Sequence, residues 1–166
     1  GWKALLNDGV DCALFLEDDV SIRGNSFFLV NEHLKYIPDK SWSMFYCARN
    51  GWEVESEKIV NDFIVVPNFS YNMHAYVLTN LGATQLCNGN FEKNIIINDE
   101  YVPLFYNHPR KNELGHIYNY SPFKVYATYN GNDLVSVRSR DIVGSDTEYS
   151  LDVFGVQGEV FGKRVN

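Results

Sequence analysis

The feature that most constrains the fold is an unbroken apolar run, Cys12 to Leu16, which ends directly in three acids, Glu17, Asp18 and Asp19. A short apolar run bounded by charge is typical of a strand covered on both faces, so we expect a central strand of an α/β sheet. The acids then follow the carboxyl end of that strand, where open α/β sheets bind their ligands. The length of 166 residues, 45% of them hydrophobic, predicts a single domain.

The rest of the pattern alternates helices and strands. It predicts helices over about 1–10, 27–37, 81–87 and 101–106, strands over 43–48, 63–66, 74–78 and 123–128, a surface loop over 49–62, and an extended tail from about 130 to 166. Thr79 or Asn80 is expected to cap the third helix, and Asn88 with Gly89 to end it.

Composition narrows the choice of partners. The net charge of -7 opposes binding to nucleic acid or to an anionic membrane surface. No apolar run approaches the ~20 residues that span a bilayer. The three cysteines lack the spacing of a disulfide framework or a zinc site, and we expect Cys12 and Cys47 in the core.

The acidic triplet indicates a divalent cation. Three adjacent carboxylates repel one another unless a positive charge offsets them, and carboxylate oxygens suit Mg²⁺ or Mn²⁺. Alternation along an extended chain directs Glu17 and Asp19 to one side and Asp18 to the other. The alternative is a solvated acidic turn that caps the following segment, and the triplet alone does not decide between them.

A second acidic group, Asn98-Asp99-Glu100, follows the apolar residues 95–97. A carboxylate here could take the proton from an acceptor hydroxyl, if both acidic groups follow strands and share a cleft. The alternative makes Asp99 a helix cap and Glu100 an acid of the first helical turn. His74 and His108 could reach a metal or phosphate, although a lone histidine beside apolar residues is more often a packing residue.

Three motifs occur in order: Ala13-Leu14-Phe15-Leu16-Glu17-Asp18-Asp19-Val20, Ala75-Tyr76-Val77-Leu78-Thr79-Asn80-Leu81-Gly82-Ala83, and Asn98-Asp99-Glu100-Tyr101-Val102-Pro103. Together they resemble glycosyltransferase family 25, which includes bacterial lipooligosaccharide galactosyltransferases and procollagen hydroxylysine galactosyltransferases. The resemblance covers about residues 2–150. The later Gly144-Ser145-Asp146-Thr147-Glu148 looks like a segment of the collagen-modifying branch. Thr79 stands where the family often has serine, which keeps the hydroxyl.

The resemblance implies the C-terminal portion of an A-type glycosyltransferase fold, a Rossmann-like mixed sheet flanked by helices. It implies a UDP-sugar donor, UDP-galactose, with Mn²⁺ or Mg²⁺ bound through Glu17 and Asp19. Asp18 and Asp19 would lie beside the bound donor, and Asp99 or Glu100 would be the base of an inverting transfer.

The acceptor that the resemblance implies is a hydroxyl group, either of collagen hydroxylysine or of a lipooligosaccharide. A collagen-type acceptor would place the protein in the lumen of the endoplasmic reticulum, and a lipooligosaccharide acceptor at the cytoplasmic face of a bacterial inner membrane. Family members carry an earlier βαβ segment that holds the uridine, whereas this sequence begins just before the acidic strand. A non-catalytic carbohydrate-binding or partner-binding module is therefore an open alternative. A metal-dependent hydrolase that uses the same acids is a third alternative. It is the least favoured, because this sequence lacks the histidine and aspartate clusters typical of two-metal sites.

Overall fold

The computed structural model describes residues 1–18, 20–22, 24–93, 95–114, 123–129, 134 and 136–137. Its α-helices are α1 (Trp2–Asp8), α2 (Ser26–Leu34), α3 (Asn80–Cys87), α4 (Asn98–Tyr101) and α5 (Lys111–Leu114). Its strands are β1 (Cys12–Leu16), β2 (Val20–Ser21), β3 (Met44–Ala48), β4 (Lys58–Ile59), β5 (Ile64–Val66), β6 (Ala75–Thr79), β7 (Val125–Thr128) and β8 (Ser136–Val137). Short 3₁₀ turns occupy Val54–Ser56, Phe91–Lys93 and Val102–Phe105.

Six strands form one mixed sheet in the order β1-β6-β3-β7-β5-β4. β6 is antiparallel to both β1 and β3, and β3 is parallel to β7, so β1, β3 and β7 run in the same direction. Their carboxyl ends therefore meet at one edge of the sheet, beside the amino end of β6. β2 and β8 form a separate antiparallel pair. The mixed sheet with flanking helices confirms the predicted α/β fold of Rossmann-like glycosyltransferase type.

The two faces of the sheet carry separate apolar clusters because successive side chains of a strand point to opposite faces. On the first face, Tyr46 and Tyr76 pack with α3, α4 and the 3₁₀ turn that follows α4. On the second face, Phe45 and Val77 pack against Val30 of α2. The helices thus cover both faces of the central strands, and the acidic residues that precede Tyr101 come to lie over the first face.

The step from β6 to α3 follows from local sequence. Thr79 is the N-cap of α3, and its side-chain oxygen accepts a hydrogen bond from the backbone N–H of Gly82 at 3.1 Å. The Thr79 hydroxyl also contacts the backbone oxygens of Trp42 and Ser43. A Cβ atom built at Gly82 would lie 2.3 Å from the backbone oxygen of Ser43, so only glycine lets α3 approach β3 this closely. The predicted cap and helix are confirmed.

Three local expectations were wrong. Within the described residues β1 pairs only with β6 and lies at the edge of the sheet, so it is not a central strand, and Cys12 at its start is exposed rather than in the core. Residues 95–97 form no strand, and the chain there runs directly into α4. Asp99 is not a helix cap, because the N-cap position of α4 is Ile97.

The other elements lie close to their predicted positions. α2 ends at Leu34, three residues before the predicted end, and Cys47 is buried as expected. Most of the predicted tail lies outside the described residues. Within the ranges that the structure describes, no helix combines the length and apolar character needed to cross a bilayer.

Candidate functional site

Glu17 and His74 meet where β1 ends and β6 begins. The backbone N–H of Glu17 donates to the carbonyl of His74 at 2.9 Å, which extends the antiparallel pairing one step beyond Leu16 and Ala75. The side chains also meet, with Nδ1 of His74 lying 2.8 Å from Oε2 of Glu17. The His74 side chain is 5% exposed and that of Glu17 is 40% exposed. The carboxylate of Glu17 is therefore accessible to solvent, while one of its oxygens contacts a buried imidazole.

Asp99 lies on the same side of the sheet, in the first turn of α4. It is buried, and the backbone N–H of Met73, the residue before His74, donates a hydrogen bond to its carboxylate. Burial raises the pKa of Asp99 well above its ordinary value, and the nearby carboxylate of Glu17 raises it further. Asp99 and Glu17 thus interact through space although 82 positions separate them in the numbering of the chain.

Aromatic side chains form the floor beside these carboxylates. Phe15, Tyr76 and Tyr46 are paired across β1, β6 and β3, and the rings of Phe15 and Tyr76 stack with their centroids 5.1 Å apart. Burial raises the pKa of Tyr76 to about 12, with smaller contributions from the carboxylates of Asp99 and Glu17. Burial also raises the pKa of Tyr46, and Asp99 adds to that shift. Asp99 therefore lies close to both phenol groups, and Glu17 lies close to that of Tyr76.

Glu100 occupies a different environment from its neighbour. Its side chain is 1% exposed, and Oε2 lies 2.5 Å from Nε2 of His108, whose side chain is fully buried. The backbone N–H of Arg110 donates to Nδ1 of His108, so that nitrogen is an acceptor and Nε2 carries the hydrogen that Glu100 accepts. The pair ties α4 to the segment before α5. Oε1 of Glu100 is buried with no hydrogen-bond partner among the described residues.

A buried ion pair holds the loop that follows β3. Nη2 of Arg49 lies 2.6 Å from Oε2 of Glu57, and both side chains are almost fully buried. Nη1 of Arg49 donates to Ser70 at 2.9 Å, and the backbone N–H of Asn68 donates to the other oxygen of Glu57. The predicted surface loop over 49–62 therefore begins with a buried arginine. The sequence analysis missed this pair, because the two charges lie in a stretch that reads as polar surface.

The predicted metal-binding and donor-binding residues are only partly described. Glu17 has the position outlined above, and Asp18 is exposed in the turn that follows it. Asp19 lies outside the described residues. Among the residues that the structure describes, no three His, Cys, Asp or Glu side chains cluster as ligands of one metal ion. Glu17 nevertheless fits a hard cation, because its carboxylate is exposed. A second carboxyl group, that of Asp99, lies near enough for the charge of Glu17 to raise its pKa.

A mixed α/β sheet with acids beyond the carboxyl end of β1 and a buried acid above its face defines a chain of Rossmann-like glycosyltransferase type. Comparison with known proteins points the same way. The chain is 31% identical over 99 residues to the "Procollagen lysyl hydroxylase and glycosyltransferase" of Acanthamoeba polyphaga mimivirus, an alignment covering 58% of the chain and 11% of that protein. It is 28% identical over 145 residues to "Procollagen galactosyltransferase 1" of Danio rerio, covering 77% of the chain and 23% of that protein.

A third relative is the "Inactive glycosyltransferase 25 family member 3" of Mus musculus, which is 26% identical over 156 residues, or 91% of the chain and 24% of that protein. No model of a protein family matches the chain. The similarity to these relatives confirms the resemblance to glycosyltransferase family 25 that the three motifs indicated. The chain spans between 11% and 24% of the length of these relatives.

Proposed function

We propose that the protein transfers a sugar from a nucleotide-sugar donor to a hydroxyl acceptor in a metal-dependent, inverting reaction. The donor is UDP-galactose, and the acceptor is a hydroxyl such as that of collagen hydroxylysine or of a lipooligosaccharide. The similarity to a procollagen galactosyltransferase supports the collagen-type acceptor. The observation that carries the proposal is the placement of Glu17 and Asp99, from the first and third motifs, on one side of the sheet, close enough for the charge of Glu17 to raise the pKa of Asp99.

In this proposal Glu17 and Asp19 hold Mn²⁺ or Mg²⁺, and Asp18 lies beside the bound donor. The cation would supply positive charge to the diphosphate that leaves the sugar. Glu17 is suited to this role because its carboxylate reaches solvent while Oε2 contacts the ring of His74. The stacked aromatic side chains of Phe15 and Tyr76 form the floor beside it.

Asp99 is the base that we assign. It would take the proton of the acceptor hydroxyl as the acceptor oxygen bonds to the anomeric carbon from the side opposite the departing UDP. A carboxylate with a raised pKa accepts a proton more readily than an ordinary aspartate, and the pKa of Asp99 is raised. Glu100 is less suited, because one of its oxygens already accepts a hydrogen bond from His108 and its side chain is buried.

Calorimetric titration of UDP into the purified chain tests the donor site. We expect binding in Mn²⁺, loss of binding in EDTA, and loss of binding in Asp19→Ala. Asp62→Ala, which removes an exposed acid from the loop before β5, is the matched control and should bind UDP like the parent chain. Equal UDP affinity with Mn²⁺, with EDTA and in Asp19→Ala would refute the metal-and-donor assignment.

The second candidate function is a non-catalytic module that binds carbohydrate or a partner protein. One relative of this chain bears the name inactive, and the chain covers about a quarter of that relative's length. This candidate predicts binding of galactose-containing ligands that survives both EDTA and Asp19→Ala. It also predicts no release of UDP from UDP-galactose in the presence of a hydroxylysine peptide, whereas the transferase predicts stoichiometric release.

A further inference from the structure

We propose that His74 is a positioning residue that orients the carboxylate of Glu17 toward the divalent cation. This inference rests on the proposed function, because it concerns the same cation. His74 lies outside the acidic triplet, and the sequence alone offers it either contact with a metal or phosphate or, more commonly for such a histidine, a packing role. The contact between its ring and Glu17 gives it a specific task.

The hydrogen bond has a defined direction. An ionised carboxylate only accepts hydrogen bonds, so Nδ1 of His74 carries the hydrogen and donates it to Oε2 of Glu17 across 2.8 Å. Oε1 of Glu17 has no hydrogen bond to any described residue, which leaves that oxygen for the cation. A ligand carboxylate held by a hydrogen bond from a neighbouring side chain is a common arrangement around protein-bound metals.

The imidazole is itself held firmly. His74 is 4% exposed, its carbonyl accepts from the backbone N–H of Glu17, and it directly precedes β6, the strand that lies between β1 and β3. Glu17, by contrast, follows an edge strand and has a side chain that is 40% exposed. A flexible, half-exposed glutamate would otherwise lose its rotamer freedom on binding a cation. The buried ring restricts that freedom before the cation arrives.

The second ring nitrogen supports a role beyond packing. Nε2 of His74 is buried and has no hydrogen-bond partner among the described residues. A histidine retained only for its bulk could be replaced by an apolar side chain, which would remove this unpaired acceptor. The hydrogen bond to Glu17 is the one side-chain contact in the described structure that requires nitrogen at this position.

Binding of Mn²⁺ alone, measured by calorimetry and by the signal of free Mn²⁺ in electron paramagnetic resonance, tests the proposal. His74→Phe keeps a ring and removes both nitrogens, and we expect it to weaken Mn²⁺ binding by about 10- to 100-fold. His74→Asn keeps an N–H donor close to the position of Nδ1 and should recover at least part of the affinity. His33→Phe is the matched control, because His33 also makes one hydrogen bond through Nδ1, to the backbone oxygen of Leu29 on the second face of the sheet. This variant should bind Mn²⁺ with the affinity of the parent chain.

The outcomes distinguish failure of the positioning role from failure of the metal site. If Glu17→Ala loses Mn²⁺ while His74→Phe binds it as tightly as the parent chain, the positioning role is refuted and the metal site stands. If the parent chain itself binds no Mn²⁺, both proposals are refuted. Should circular dichroism show that His74→Phe does not fold, His74→Leu replaces it. Equal weakening in His74→Asn and His74→Phe would also refute the role, because it would show that the N–H donor contributes nothing.

Discussion

Replacing Gly82 with alanine should destabilise the protein, although alanine is the better helix former. Gly82 lies in the first turn of α3, where a glycine-to-alanine change alone would stabilise the helix by about 1 kcal/mol. The new Cβ would, however, lie 2.3 Å from the backbone oxygen of Ser43 and 2.8 Å from Cδ1 of Leu78. The first distance is about 1 Å shorter than an ordinary contact between such atoms.

The loss of stability from this contact should fall at the upper end of the range that is usual for overpacking. Overpacking costs about 1–3 kcal/mol, and here the obstructing atom belongs to the backbone rather than to a flexible side chain. The same Ser43 oxygen accepts from the backbone N–H of Thr79 at 3.0 Å, so moving it also strains the start of α3. Subtracting the helix gain leaves a net loss of about 2 kcal/mol.

Urea denaturation followed by tryptophan fluorescence measures this loss. With a slope of about 2 kcal/mol per molar urea, the midpoint of Gly82→Ala should fall by about 1 M. Gly24→Ala is the control, because a Cβ at Gly24 meets no atom within 4 Å, and its free energy of unfolding should stay within about 0.5 kcal/mol of the parent value. A Gly82→Ala variant as stable as the parent chain would refute the close approach of α3 to β3.

Three further predictions concern stability. Arg49→Met should lower the free energy of unfolding by about 3–5 kcal/mol, because it leaves the buried carboxylate of Glu57 without its cation. The double variant Arg49→Met/Glu57→Met should recover part of that loss. Urea denaturation measures both, and additive losses would contradict the prediction. Thr79→Val should cost about 1–2 kcal/mol through loss of the α3 cap, and an unchanged urea midpoint would contradict that. Because the pKa of Asp99 is raised from 3.8 in the folded state, its contribution to stability should decrease as pH rises from about 4 toward the folded pKa. In metal-free buffer the stability of the parent chain relative to Asp99→Asn should therefore fall between pH 4 and pH 7, and a pH-independent difference would contradict the shift.

Much of the fold was predictable because local patterns specify it. The apolar runs that became β1, β3, β5 and β7 are bounded by charge or turn residues, and the Thr79 cap has the sequence pattern of a helix start. The edge position of β1 was not predictable. An apolar run indicates a strand that packs against other elements, but it does not specify which neighbours form its hydrogen bonds, and β1 is only partly buried along its length.

The candidate site shows the same division. Sequence selected Glu17 and Asp99 as candidates from two separate motifs. The strand expected before Asp99 does not form, so only the tertiary structure brings Asp99 close to Glu17. Sequence could not separate Asp99 from Glu100, because adjacent residues in a helical turn point in different directions and only packing decides what each one meets. In the folded chain Asp99 lies near Glu17, whereas Glu100 is paired with His108.

By itself, then, the sequence determined the class of fold, most strands and helices, and the acids proposed for the site, because strand burial and helix capping depend on nearby residues. Only the tertiary structure brought His74 against Glu17 and Arg49 against Glu57. His74 contacts Glu17 because β6 pairs with β1 in one particular antiparallel register, and a shift of one residue would turn the imidazole to the other face of the sheet. Pairing and register are set by the packing of the whole sheet between its helices, and no local stretch of the chain encodes them.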